Sequence, residues 1–416
     1  MLLPIGDQPN PREYTPWITY SLIFANVAIY LALTLPMSLV PPNVTDPSVQ
    51  AFVRELMQRV PGSTYDEVVR ALASLSAYDV FCHQWGYRPA TPSMLSLLSS
   101  MFLHGDWMHL LFNMWFLWIF GDNVEHRLGR AGYLACYLIT GIVATLTFSL
   151  FATDSYVPLV GASGAISGVL GFYFVWFPRN HVRVFVWLLF YLDVWLVPTR
   201  IVLGFFLIID NVLPWLLSRS SGGGGVAYGA HLGGFLSGAV IAYAIARIEE
   251  VREERQGIDA GRKAARETKD KNTGSFGVGA HAVTASHEKG YYPAAVHAYL
   301  ELLPSQRKQV PAEVIADLGD WLAENDEPDA ALVLYRRGLV DHPRDAATSR
   351  LMLGIGLTLL LFKDRPAAAY QYLLDVLDVL GDEDGQAADE VRDAAKKGLA
   401  EIARRHKLQR MPKQTS

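Results

Sequence analysis

Apolar residues fall in long blocks up to about Glu249 and in short helical stripes after it. Six blocks are long enough to cross a bilayer core of about 30 Å, which takes roughly 20 helical residues. They cover residues 16–35, 107–121 (extended upstream by the apolar 94–103), 133–151, 161–177, 201–217 and 228–248. The stretch 182–197 is apolar too, but Arg183 and Asp193 interrupt it and Pro198 ends it, so it is expected to lie at the membrane interface. In the long first loop, 46–60 and 64–77 place Ala, Val, Leu and Met at helical spacing and predict two amphipathic helices. Charge and then Gly, Ser and Thr dominate 250–280, which reads as a linker. Beyond it, Pro293-Ala294-Ala295, Pro328-Asp329-Ala330-Ala331 and Pro366-Ala367-Ala368-Ala369 open three loosely similar blocks, spaced near the roughly 34 residues of tetratricopeptide helix pairs.

The pattern predicts an all-α chain: a tail over 1–15, a six-span membrane bundle over 16–249, a linker over 250–280 and a soluble helical repeat over 281–410. Arginine places the ends of the spans. Arg127, Arg130, Arg179, Arg183, Arg200, Arg247, Arg252 and Arg255 all fall on one side, which the positive-inside rule makes cytoplasmic, with both termini. A bacterial inner membrane is the expected setting, since residues 1–15 are polar and proline-containing, with neither a signal peptide nor a transit peptide. Net charge is −5 with scattered Lys and Arg, which excludes a nucleic-acid surface. Cys82 and Cys136 are the two cysteines and make no disulfide framework.

The chemistry gathers at glycines. Gly161, Gly164, Gly168 and Gly171 recur every three or four residues and cut a smooth helix side for a partner helix, and Gly234 and Gly238 offer the same on the last span. Ser163 stands at the start of the first of these helices, where free N–H groups and the dipole favour an oxyanion. His231, at the start of the other, is placed to act as its general base. His109 and Asn113 lie i, i+4 on a third span and present two hydrogen-bond donors from one face. Polar side chains in membrane helices are functional candidates by default.

The group Gly161-Ala162-Ser163-Gly164, Ala230-His231 with Gly234 and Gly238, and His109-xxx-Asn113 resembles the rhomboid intramembrane serine proteases over about residues 10–250. Phe102-Leu103-His104-Gly105 and Glu125-His126-Arg127-Leu128-Gly129 add to the likeness. The resemblance implies a Ser163–His231 dyad without a carboxylate, and an oxyanion hole made by the Ser163 N–H with His109 and Asn113. It implies hydrolysis of a peptide bond in or near the membrane helix of another protein, with neither cofactor nor metal. Two features depart from the pattern: Ser167 stands where some members have an aromatic residue, and Trp85 and Arg88 are not adjacent.

The rival reading is a catalytically silent relative that binds membrane clients, against which both dyad residues count. A metalloprotease lacks its motif, since His287-Glu288 is followed by Lys289-Gly290-Tyr291, and Asp122 lacks an aspartyl-protease partner motif. No inverted repeat of broken spans supports a transporter. Expected partners are therefore transmembrane protein substrates and the lipid bilayer, with a cytoplasmic peptide or protein for the repeat region. A purely structural role for that region is an equal expectation.

Overall fold

A computed structural model describes residues 2–9, 14–59, 64, 65, 67, 70, 75–188, 191–208, 226–267, 279–381 and 385–405. It divides into two compact units, 1–243 and 244–416. In chain order the first unit holds β1 (Leu2–Gln8), α1 (Trp17–Ser38), α2 (Pro47–Arg59), α3 (Ala77–Trp85), α4 (Met94–Ser99), α5 (Trp107–Phe151), α6 (Ser163–Trp176), β2 (His181–Leu188), β3 (Tyr191–Pro198) and α7 (Thr199–Leu207). α8 (Val226–Glu267) begins in this unit and ends in the second.

Three helices, α1, α5 and the Tyr228–Arg266 part of α8, are long and apolar enough to cross a membrane, and α6 is a shorter apolar helix. The second and third expected spans are the two halves of α5, broken where Gly129 takes φ +70°. Only glycine adopts that conformation without strain, so the chain reverses there. The expected upstream extension of the second span is instead the separate helix α4, followed by a 3₁₀ turn at Ser100–Phe102. Asp106 then caps α5, its carboxylate accepting from Met108 N–H at 2.8 Å and His109 N–H at 2.9 Å. The second half of the fifth span, the Gly222–Gly225 run and half of the 64–77 segment lie outside the described residues.

The all-α expectation needs one correction. β1, β2 and β3 form a three-stranded antiparallel sheet in that order, so the tail 1–15 is partly a strand and 182–197 is a hairpin. Its β-branched residues explain the fold: Val182, Val184 and Val186 alternate inward and are buried, as a half-buried strand requires. The strand β1 is held to the helices by Trp115, whose Nε1–H donates to Pro4 O at 2.7 Å, and by the buried Asp7. Asp7 accepts from Asn123 Nδ2 at 2.8 Å and from the Tyr173 hydroxyl.

Glu125 is the other buried carboxylate of structural weight. Pro16 gives α1 no side-chain cap, and Glu125 supplies it from α5. Its oxygens accept from Ile18 N–H at 3.0 Å, Thr19 N–H at 2.8 Å, Thr19 Oγ1 at 2.8 Å and the Tyr14 hydroxyl at 3.2 Å. A carboxylate on otherwise orphaned N–H groups also meets the positive end of the helix dipole. Glu125→Ala is expected to destabilise the membrane unit by about 3 kcal/mol, because several charge-assisted bonds are lost at once. Thermal unfolding in detergent reads this as a lowered midpoint, and an unchanged midpoint would remove the capping role.

In the second unit α8 continues as a helix to Glu267, so the first part of the expected linker is helical; 268–278 lie outside the described residues. Ala264 and Ala265 are buried, and Glu253 pairs with Arg336 at 2.8 Å and with Arg365 at 2.5 Å. Three helix pairs follow: α9 (Ala280–Glu288) with α10 (Tyr292–Leu300), α11 (Ala312–Glu324) with α12 (Pro328–Asp341), and α13 (Thr348–Leu361) with α14 (Pro366–Leu380). A last helix, α15 (Gln386–Arg405), closes the unit. Pro293, Pro328 and Pro366 sit at the start of the second helix of each pair, where a missing N–H does no harm. Two residues before each of these helices the backbone turns left-handed, at Gly290, Asp326 and Asp364. The packing repeats around large side chains: Tyr335 is buried against Gly319 and Gly354, and its hydroxyl donates to Asp320 at 2.6 Å.

Candidate active site

Four elements bring the site together. Ser163 is the first residue of α6, so its N–H is among the helix-terminal groups without an intrahelical acceptor. His231 lies near the start of α8, and its Nε2 is 2.7 Å from Ser163 Oγ. The two side chains meet because α6 and α8 touch backbone to backbone. A Cβ on Gly234 would overlap the carbonyl oxygen of Gly164, and one on Gly238 would overlap that of Gly168. Gly171 likewise has room only for hydrogen against the backbone of Phe235. Lower on the same pair, Trp176 Nε1–H donates to Ala242 O at 2.9 Å.

The glycines of α6 serve two neighbours where the sequence suggested one. Hydrogens of Gly164 and Gly168 face Ala144 and Thr140 on α5, while their carbonyls meet α8. α6 is thereby wedged between two helices. Ser167, buried one turn below Ser163, packs its Cβ beside Gly234, and a Cβ at Gly234 would lie 3.3 Å from it. A small residue at 167 thus keeps the α6–α8 contact close at Gly234.

Gly161 joins the serine to the third helix. Its φ is +128°, and a Cβ there would lie 2.8 Å from both Cε1 and Nε2 of His109. The same point is 3.6 Å from Ser163 Oγ, so imidazole and hydroxyl flank one spot. Gly161 N–H donates to Ser100 O at 2.8 Å, which fixes the approach to Ser163. Asn113 is buried one turn along α5 from His109, and its Nδ2 has no hydrogen-bond partner among the described residues. A buried amide donor without an acceptor is unfavourable by about 1–3 kcal/mol, which fits a group held ready for a transient anion. On the catalytic reading proposed below, with Asn113 an oxyanion donor, Asn113→Ala is expected to lower turnover roughly 10²-fold, with an unchanged unfolding midpoint. Equal loss of both would make Asn113 structural.

The first loop supports this arrangement through residues the sequence did not single out together. Tyr78 on α3 clamps the His104 backbone, donating from its hydroxyl to His104 O at 2.8 Å and accepting from His104 N–H at 3.1 Å. The His104 ring then meets His109 edge-on, with centroids 5.2 Å apart. Tyr87 pairs with Leu159 by two backbone bonds of 3.0 and 2.8 Å, just ahead of Gly161. Trp85 and Arg88 each have a separate anchor. Trp85 O accepts from Ser99 Oγ at 2.7 Å, and Arg88 donates to Glu55 Oε1 at 2.9 Å. Glu55 Oε2 also lies 2.8 Å from His83 Nε2. Cys82 is buried beside this clasp, which pushes its thiol up to about 11 and keeps it protonated. Among the described residues no cluster of His, Cys, Asp or Glu is arranged to hold a metal.

Residues 91–248 match the family model described as Rhomboid domain, and Ser163, His231, His109 and Asn113 all fall within it. Rhomboid protein 1, mitochondrial, of Saccharomyces cerevisiae is 30% identical over 41% of this chain and 47% of its own length. RHOMBOID-like protein 2 of Arabidopsis thaliana is 26% identical over 58% of the chain and 69% of its own length. RHOMBOID-like protein 6, mitochondrial, from the same plant is 28% identical over 38% and 51%. The chain thus spans about half the length of the two mitochondrial relatives. Their names give no support to the bacterial inner membrane expected from the sequence.

Proposed function

We propose that this chain, whose residues 91–248 match the Rhomboid domain model, is an intramembrane serine endopeptidase that cuts a peptide bond in or near the membrane helix of a client protein. The observation that carries this reading is the 2.7 Å approach of His231 Nε2 to Ser163 Oγ across the glycine-lined α6–α8 contact. Ser163 Oγ attacks the scissile carbonyl while His231 Nε2 takes its proton. The oxyanion is held by the Ser163 N–H with His109 and Asn113, in a site walled by packed helices where such donors act at low dielectric. His231 then protonates the leaving amine as the C–N bond breaks. Water attacks the ester as His231 accepts its proton, and the acyl C–Oγ bond breaks as His231 returns that proton to Ser163 Oγ. No carboxylate takes part. His231 is oriented by the close packing of α8 on α6 at Gly234 and Gly238.

The test is incubation of the native protein in liposomes with single-pass membrane substrates. The proposal expects two fragments whose masses place the cut in or near the spanning segment. Intact substrate across a varied set would favour a silent, client-binding role.

The helix pairs of the second unit are proposed to form a tetratricopeptide-like region, supported by the left-handed residue two places before each second helix. Such solenoids present a groove to peptides. Deleting 281–405 is expected to spare cleavage of a minimal substrate and to slow that of a client with a long soluble tail. Equal rates on the latter would leave the region a structural role.

A further inference from the structure

The β2–β3 hairpin takes no part in the chemistry above, and its surface is unusual. On the inward row of β2, Val182, Val184 and Val186 are buried, but the edge strand β3 leaves apolar side chains exposed on both faces. Leu192 is 64% exposed and Val194 42% on one face, Trp195 is 46% exposed on the other, and Trp187 of β2 is 53% exposed. β3 pairs on one side only among the described residues. The base carries Arg179, Arg183 and Arg200, with the Arg200 guanidinium 5.8 Å from the Phe174 ring centroid. Asn180 closes that base, its carbonyl accepting from Thr199 N–H at 2.8 Å and Oγ1 at 2.7 Å.

We propose that this hairpin is an interfacial membrane anchor, lying at the headgroup–acyl boundary of the leaflet reached by the end of α6. The hairpin leaves the apolar helix α6 and enters the apolar helix α7, so its base is at the membrane surface. Eight residues of strand reach about 26 Å from there. A protein partner laid on one face would leave Trp195, or else Leu192 and Val194, against water. Lipid reaches both. Tryptophan is the residue enriched at this depth, and basic groups at the base match lipid phosphates. The carboxylate of Asp193 sets the limit of immersion, because a charged side chain is costly in the hydrocarbon core.

Nitroxide labels at Leu192→Cys and Trp195→Cys, one on each face, test this in the full chain reconstituted in phosphatidylcholine–phosphatidylglycerol vesicles. Cys82 and Cys136 are replaced by alanine, and a label at Val340→Cys, 75% exposed in the second unit, serves as the aqueous control. Both hairpin labels should collide with oxygen more than with a water-soluble nickel complex, and the control the reverse. Nickel access at both hairpin positions would overturn the proposal. So would shielding of one face from both reagents, which would mark a protein partner or a second copy. A second readout leaves the cysteines native. Brominated acyl chains should quench the emission lost on going from the native protein to the Trp187→Phe/Trp195→Phe protein, and emission indifferent to bromine would equally overturn the anchor.

Discussion

Ser163→Ala is expected to reduce proteolysis by at least about three orders of magnitude while leaving the fold intact. The hydroxyl is small and half-buried, and its Oγ is 2.7 Å from His231 Nε2, so its removal creates little strain and deletes the attacking atom. His231→Ala should give a loss of the same size, since the serine hydroxyl is a weak nucleophile without a base. Groups that act as one unit show non-additive losses. The Ser163→Ala/His231→Ala protein should therefore be no slower than either single variant. Single-turnover cleavage in detergent measures all three. Losses that multiplied in the double variant would show two independent contributions and contradict a dyad.

Gly238→Val is expected to abolish activity by a different route, through loss of the fold around the site. A Cβ at Gly238 would overlap the carbonyl oxygen of Gly168, and its next neighbours are the Gly168 carbonyl carbon and Cα. These are backbone atoms of a helix also packed against Thr140 of α5, so they have nowhere to retreat. Overpacking a well-packed site is usually unfavourable by about 1–3 kcal/mol, and two γ-carbons against backbone place valine at or above the top of that range. Separation of α6 from α8 would then carry His231 away from Ser163. The unfolding midpoint should fall together with activity. Gly204→Val, where a Cβ meets nothing within 4 Å, is the control and should change neither. Retained activity with valine at 238 would mean that the close approach is not needed to form the site.

Much of this was legible because membrane helices write their packing in small residues. The spacing of Gly164 and Gly168 against Gly234 and Gly238 pointed to a close helix pair, and His109-xxx-Asn113 to a shared face. The sequence could not say that Gly164 and Gly168 would turn their hydrogens to α5 and their carbonyls to α8, because that depends on the rotation of three helices at once. The sheet was hidden for another reason. An apolar run of eight residues reads alike as a buried strand or a helix segment, and β1 lies far from β2 in the chain. Asp7 and Glu125 act on partners fixed only in three dimensions, although a carboxylate inside an apolar run is a signal that carries weight. Asp106, directly before α5, carried a readable cap signal.

The most direct measurement of the central claim needs no substrate. An alkyl fluorophosphonate phosphonylates a serine only where the hydroxyl is activated: the Oγ–P bond forms, P–F breaks, fluoride leaves, and the base takes the proton. Peptide mapping of the labelled native protein should find the adduct on Ser163, and the rate should collapse in His231→Ala. Labelling at Ser163 that proceeds equally without His231, or no adduct at Ser163 in folded protein, would contradict the dyad.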